Sequence, residues 1–116
     1  MAIPSGSGTE VLKRFTINSL SSTATSLIAG SANHIYTIIS IIFTEGAGSS
    51  TELFECYVEP SGGTAVNIFR EQSIPAYGTF TWNDKFVMTG TDNLRVKCNT
   101  SADIDVICSY IDQDWT

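Results

Sequence analysis

The single histidine, His34, is the residue best suited to acid–base or metal chemistry in this chain. A catalytic metal site needs several histidine and carboxylate ligands, and one histidine without a His-x-His spacing does not supply them. A serine nucleophile would need His34 and an orienting carboxylate, and the Gly-x-Ser-x-Gly turn that marks many such nucleophiles is missing. We therefore expect a structural or surface role for His34, and no catalytic residue, metal ligand or cofactor.

The three cysteines, Cys56, Cys98 and Cys108, are odd in number and lack a Cys-x-x-Cys spacing. These features argue against a zinc site, a redox motif or a complete disulfide framework. Each cysteine falls on the apolar side of an alternating segment, where cysteine behaves as a small hydrophobic residue. We expect buried free thiols, which stay protonated and unreactive in apolar surroundings.

Carboxylates and aromatic rings offer two further possibilities. Asp103 and Asp105 could bind calcium, but the Asp-x-Asp-x-Asp-Gly loop is missing, and a polar rim that protects a sheet edge is the simpler interpretation. Aromatic rings on loops could stack on a glycan. Trp82 alternates with Phe80 and is expected to pack in the core, whereas Trp115 follows an acidic segment and is expected to pack on its own domain or on a neighbouring protein.

Composition limits the range of partners. The chain has 116 residues, 42% of them hydrophobic and 16% charged, with a formal net charge of −6 and a pI near 4.4. This size predicts one domain. The acidic balance disfavours nucleic acid and anionic membranes as partners, and no apolar segment approaches the roughly 20 residues of a membrane helix. We expect a protein made in a cytoplasm.

Short apolar runs separated by Gly, Pro, Asn, Asp and Ser predict an all-β fold, a single antiparallel β-sandwich of jelly-roll type. Residues 1–9 are predicted to be a flexible amino-terminal arm and residues 10–116 the sandwich domain. Nine strands are predicted, at 10–17, 25–29, 35–44, 51–59, 64–71, 78–82, 85–88, 93–98 and 104–111. The last two are predicted to form a hairpin with one buried face, closed by residues 100–103.

The third predicted strand is apolar on both faces. Strict alternation divides its side chains into one face with Ile35, Ile39, Ile41 and Phe43 and another with Tyr36, Ile38 and Ile42. One face would be covered by the sandwich core, and the other by a loop, the arm or a neighbouring subunit.

Two turn motifs resemble a known class of protein. Residues 74–79 (Ile-Pro-Ala-Tyr-Gly-Thr) lead into a strand, and residues 91–96 (Thr-Asp-Asn-Leu-Arg-Val) lead into the predicted carboxy-terminal hairpin. Both are similar to segments of small β-sandwich structural proteins of tailed bacteriophages, and the likeness extends from about Thr23 onward. Residues 3–12 are similar to the opening of virion proteins from marine or cyanobacterial podophages. The bulky Tyr77 departs from the usual residue of the first motif.

The resemblance implies a head decoration (cement) protein, commonly a homotrimer, that binds the major capsid protein on the capsid exterior of the virion. A tail, neck or fibre-tip component is the alternative, with a host glycan as ligand. Such roles depend on surfaces, so no functional residue is carried over. From the arm, the strand face outside the core and the exposed carboxy-terminal ring we predict these interface residues: Ile3, Pro4, Glu10, Tyr36, Ile38, Ile42 and Trp115.

Overall fold

Nine β-strands make up the fold of the computed structural model, which describes residues 8–99 and 103–115. All nine predicted strands are present, with ends shifted by at most three residues. Their bounds are β1 Thr9–Ile17, β2 Thr25–Ala29, β3 His34–Glu45, β4 Glu52–Glu59, β5 Val66–Ile74, β6 Thr79–Trp82, β7 Phe86–Thr89, β8 Asn93–Cys98 and β9 Ile104–Asp114.

The strands form two antiparallel sheets. The first has the order β1-β9-β3-β6, with β7 pairing the other half of β3, and the second has the order β2-β8-β4-β5. If β6 and β7 are taken as one interrupted strand, these are the two four-stranded sheets of a jelly roll. The predicted fold class is therefore confirmed.

The predicted hairpin of the last two strands is wrong. β8 pairs with β2 and β4 in the second sheet, whereas β9 pairs with β1 and β3 in the first. The connection between β8 and β9 therefore crosses from one sheet to the other. Each strand does have one buried face, as alternation predicted, but the two buried faces meet across the core and do not lie side by side.

The core lies between the two sheets. The alternating positions of β8 and β9 supply Leu94, Val96 and Cys98 from one side and Ile104, Val106 and Cys108 from the other, all almost completely buried. An aromatic cluster fills one end, with ring centroids 4.6–6.1 Å apart, and joins both sheets: Phe43, Phe54, Phe69, Phe80 and Trp82. The three cysteines are buried free thiols, as predicted.

A β-bulge in β3 corrects the predicted division of its faces. The pairing with β9 shifts between Ile38 and Ser40, so that Ile39 is an extra residue. One extra residue reverses which face the following side chains occupy. Tyr36 and Ile38 therefore point into the same core as Ile41 and Phe43, and the prediction that they lie outside it is wrong. Both sets of alternate residues in β3 are apolar chiefly because the set that faces the core changes at the bulge.

Candidate functional site

The predicted interface residues are found in different surroundings. Ile3 and Pro4 lie outside the described residues. Glu10 is exposed on β1, where its Oε1 accepts a hydrogen bond of 2.8 Å from Nε2 of Gln113. Ile42 is partly exposed on the side of β3 that faces away from the core, and Trp115 is partly buried just after β9. Tyr36 and Ile38 are buried in the core.

Two rows with apolar residues lie on the outside of the first sheet, separated by a row with Arg14, Ser109 and Ser40. The pairing register places Leu12, Ile111, Thr37 and Val87 in one row across β1, β9, β3 and β7, a row about 14 Å wide at the usual strand spacing. A second row places Ile107 beside Ile42. We call the five apolar residues of these rows the outer apolar face: Leu12, Ile42, Val87, Ile107 and Ile111.

The outer apolar face is open to solvent. Leu12 is 72% exposed, Val87 58% and Ile107 41%, while Ile42 and Ile111 are partly exposed. Large apolar side chains that share one exposed surface mark a site of protein contact more often than scattered ones do. Of the predicted interface residues, Ile42 belongs to this surface.

The beginning of the described chain lies beside its end. The backbone N–H of Trp115 donates a hydrogen bond of 2.9 Å to the carbonyl of Asn33, which ties the end of β9 to the turn before β3. The indole ring packs on Gly8, where a Cβ atom would come within 2.9 Å of the ring. The buried indole N–H meets no acceptor among the described residues. The described chain therefore begins, at Gly8, next to Trp115.

A charged cluster joins β1, β3 and β9 on the inner side of the same sheet. Asp112, which is 5% exposed, accepts hydrogen bonds from Nζ of Lys13 at 2.8 Å and from Nδ1 of His34 at 2.6 Å. Burial alone would raise the pKa of Asp112, but the hydrogen bonds from Lys13 and His34 outweigh it, and the pKa is lowered. The Asp112 carboxylate in turn raises the pKa of Lys13.

The cluster is a hydrogen-bonded network centred on Asp112. The second ring nitrogen of His34, Nε2, lies 3.6 Å from Oδ1 of Asp114, so both nitrogens face carboxylates. The imidazole ring also stacks on Tyr36 at a centroid distance of 5.7 Å. This agrees with the structural role expected for His34. Within residues 8–99 and 103–115, no three His, Cys, Asp or Glu side chains are grouped to hold a metal ion.

A second buried carboxylate, Glu45, holds two turns together. Its side chain is 1% exposed and accepts backbone hydrogen bonds from Gly48 at 2.7 Å, Tyr77 at 3.1 Å and Ala47 at 3.3 Å. The bonds from Gly48 and Tyr77 lower the pKa of Glu45. They join the turn after β3 to the turn between β5 and β6.

Tyr77 occupies an unusual backbone conformation. Its φ of 58° is in the left-handed region, which costs a residue with a Cβ atom about 1–2 kcal/mol. Its side chain is exposed but lies against Gly48, where a Cβ atom would overlap the ring. The bulky residue of the first turn motif thus makes a local contact.

The two tryptophans lie far apart. Trp82 pairs with Ile41 on β3 and packs on Phe69 in the core, as predicted. Trp115 lies near His34, about 23 Å along β3 at the usual rise per residue. A single glycan site cannot be built from both rings.

Sequence reasoning missed four residues of the outer apolar face: Leu12, Val87, Ile107 and Ile111. Val87 carried a usable signal, because it alternates with the larger Phe86 and Met88, which take the inner side. The sequence signal for Leu12 was weaker, because Leu12 lies on the same side of β1 as the charged residues Glu10 and Arg14. That these residues adjoin one another depends on the order of strands in the sheet.

No family model and no curated protein sequence matches the chain. Solved structures do match its fold. A subunit of Bacillus endospore appendages, which are disulfide-linked pili, superposes with a TM-score of 0.58 at 15% identity, covering 100% of this chain and 97% of that one. A capsid chain of Helicobacter pylori bacteriophage KHP30 gives a TM-score of 0.52 at 10% identity, covering 90% and 86%.

A further similar structure is that of a mouse protein. Murine APRIL has a TM-score of 0.56 at 16% identity, covering 88% of this chain and 98% of its own. At such identities the likeness establishes the β-sandwich fold and no specific activity. The structures that share this fold include phage and viral capsid proteins. No helix among the described residues is long and apolar enough to span a membrane.

Proposed function

We propose that this protein is a virion structural protein of a tailed bacteriophage and, more specifically, a decoration (cement) protein on the outer surface of the capsid. Its principal partner is the major capsid protein. The turn motifs at residues 74–79 and 91–96 support the phage class, and the jelly-roll fold is one that capsid proteins also use.

The observation that carries the proposal is the exposed outer apolar face. A single copy leaves Leu12, Val87 and Ile107 in contact with water, and burying apolar area against a shell subunit stabilises the complex by roughly 25 cal/mol per Å² before the costs of association. Binding that favours the assembled shell over its separated subunits stabilises the shell by mass action. Such a mechanism needs no catalytic group, and we propose no enzymatic activity.

The amino-terminal arm and self-association complete the proposal. The described chain begins at Gly8, which lies beside Trp115, and Ile3 and Pro4 are proposed to lie across a neighbouring subunit, with Trp115 at the base of this contact. Copies also associate with one another, as a homotrimer in the arrangement that the resemblance implies. Deleting residues 2–7 should leave the fold intact and abolish attachment to particles, whereas unchanged attachment would exclude the arm.

Two substitutions of matched exposure test the outer apolar face. Val87 is 58% exposed on this face, and Val66 is 59% exposed on the other sheet. Val87→Lys should weaken co-sedimentation with capsids at least about tenfold, because an ammonium group would be buried at the contact, whereas Val66→Lys should bind as the unaltered protein does. Equal binding by both variants would refute a role for this face.

The alternative is a tail, neck or fibre-tip component. Quantitative mass spectrometry of purified particles separates the two, because a decoration protein is present in a number comparable with the major shell subunit and a tail component in far fewer copies. The glycan-binding form of this alternative gains no support from the tryptophans, since Trp82 is packed in the core and Trp115 is distant from it. Saccharide binding that is lost in Trp115→Ala would revive it.

A further inference from the structure

β1 forms an edge of the first sheet that has no neighbouring strand among the described residues. On its other side, nine consecutive residues pair one to one with β9 without a bulge. Antiparallel pairing uses the N–H and C=O groups of alternate residues on each side of a strand. No strand among the described residues pairs with the remaining groups of β1, and no proline interrupts them.

Both faces of β1 are also exposed. Val11 and Phe15, on the inner side, are 46% and 40% exposed, and Leu12 on the outer side is the most exposed of the three. A long, regular and partly apolar edge is a template for pairing with another strand. Natural proteins protect such an edge with a bulge, a proline or charged side chains, and of these β1 has only the charged side chains Glu10, Lys13 and Arg14.

We propose that β1 pairs antiparallel with β1 of a second copy of this chain, about a two-fold axis through Leu12. The two first sheets then become one continuous sheet. This contact between copies is independent of whether the protein decorates a capsid, because it depends only on residues of β1.

Symmetry restricts the possible registers. Residues directly opposite each other in an antiparallel pair point to the same face, whereas neighbouring residues of one strand point to opposite faces. An axis between two residues would place neighbours such as Leu12 and Lys13 opposite each other. The two-fold axis of a pair of identical strands must therefore lie at a residue. An axis at Lys13 would oppose two lysines, and an axis at Arg14 would oppose two arginines. An axis at Val11 would place Glu10 opposite Leu12 of the partner subunit.

An axis at Leu12 pairs unlike charges. It places Glu10 opposite Arg14 of the partner subunit, and by symmetry it forms that pair twice. The same register places Leu12, 72% exposed in one copy, against Leu12 of the partner subunit. Opposite charges and apolar side chains directly across from each other favour strand pairing, whereas like charges oppose it.

The pairing extends the outer apolar face. Because the axis is perpendicular to the sheet, both copies present this face on the same side. The row that runs from Val87 through Thr37 and Ile111 to Leu12 continues through the second copy. A two-fold contact also predicts an even number of copies: two, or six where a three-fold contact joins them as well.

A cysteine placed on the proposed axis tests the register directly. Opposed residues in an antiparallel pair have Cα atoms about 4.5–5.5 Å apart, within the range for a disulfide. Leu12→Cys should therefore form a covalent dimer under mild oxidation, seen on a non-reducing gel. Thr16→Cys, on the same outer side of β1, is the control, because its two copies would be about 26 Å apart. The buried native cysteines should not interfere.

A charge exchange tests the same contact without a covalent bond. Arg14→Glu and Glu10→Arg should each weaken self-association at least about tenfold in sedimentation equilibrium, because each puts like charges opposite one another twice. The double variant should restore association to within a few-fold of the unaltered protein. Both side chains are exposed, so circular dichroism and thermal unfolding should show an unchanged fold.

Each result bears on the proposal. Cross-linking confined to Leu12→Cys, together with rescue by the double variant, supports it. The proposal is overturned by a monomer or an isolated trimer at high concentration, by equal cross-linking at both cysteine positions or at neither, or by a double variant that fails to restore association. A failure of capsid binding alone would count against the proposed function and not against this contact.

Discussion

The bulge in β3 predicts unequal losses of stability for substitutions of two adjacent isoleucines. Ile38→Ala and Ile39→Ala remove the same atoms from neighbouring positions. With strict alternation, Ile39 would share the core face with Ile41 and Phe43, and Ile38 would lie outside. With the bulge, Ile38 is fully buried and Ile39 is the partly exposed extra residue. The losses of stability in the two variants therefore show which of the two side chains faces the core.

The magnitude follows from burial. Ile38→Ala removes three carbon atoms with a transfer free energy of about 2.4 kcal/mol, at about 0.8 kcal/mol for each. The cavity left behind adds to this, and such truncations cost about 2–5 kcal/mol in all. Ile39→Ala should cost about 1 kcal/mol or less because the side chain is partly solvated. A domain of this size loses about 4 °C of Tm per kcal/mol, so Ile38→Ala should melt about 4–16 °C below Ile39→Ala.

Urea unfolding of the two variants, followed by circular dichroism, measures this difference. The slope of free energy against urea should stay the same in both, which would show that only the stability has changed. An Ile39→Ala loss equal to or larger than the Ile38→Ala loss would refute the assigned bulge, and with it the placement of Ile42 on the outer apolar face.

Three further predictions concern the buried polar and thiol groups. Because the folded-state pKa of Glu45 is lowered from 4.5, its ionised side chain stabilises the fold above about pH 4.5 and progressively less as the pH falls below it. The Tm of Glu45→Gln should therefore be lower than that of the unaltered protein at pH 7 and approach it at pH 3. A difference in Tm that stays constant with pH would contradict this. Asp112→Asn should lower the free energy of unfolding by about 1–2 kcal/mol at pH 7. The loss should be smaller at a pH below 3.8, the ordinary pKa, because the folded-state pKa of Asp112 is lowered. Urea unfolding at pH 7 and at a pH below 3.8 measures this difference. Burial raises the pKa of the Cys108 thiol to about 12 and that of Cys56 still further. The native protein should therefore not react with a thiol reagent at pH 8, whereas the urea-unfolded chain should react at all three cysteines. Rapid labelling of the native protein would show that the core opens.

Local patterns predicted most of the elements. Alternating apolar residues between turn residues placed all nine strands, and in β8 and β9 alternation also assigned the buried sides correctly. Alternation failed in β3, because a bulge leaves no clear mark in a segment where both phases are apolar. It gave no information on Glu45, whose burial depends on three backbone N–H groups from two separate turns.

The sequence by itself determined the fold class, the number of strands and the burial of the cysteines, because side-chain alternation and turn chemistry act over a few residues. Tertiary structure decided which strands are neighbours. It separated β8 from β9, brought Lys13 and His34 onto Asp112, and aligned Leu12, Ile111 and Val87 on one surface. These groupings come from strand order and register, which depend on how the whole chain buries its apolar area, and no local segment encodes them.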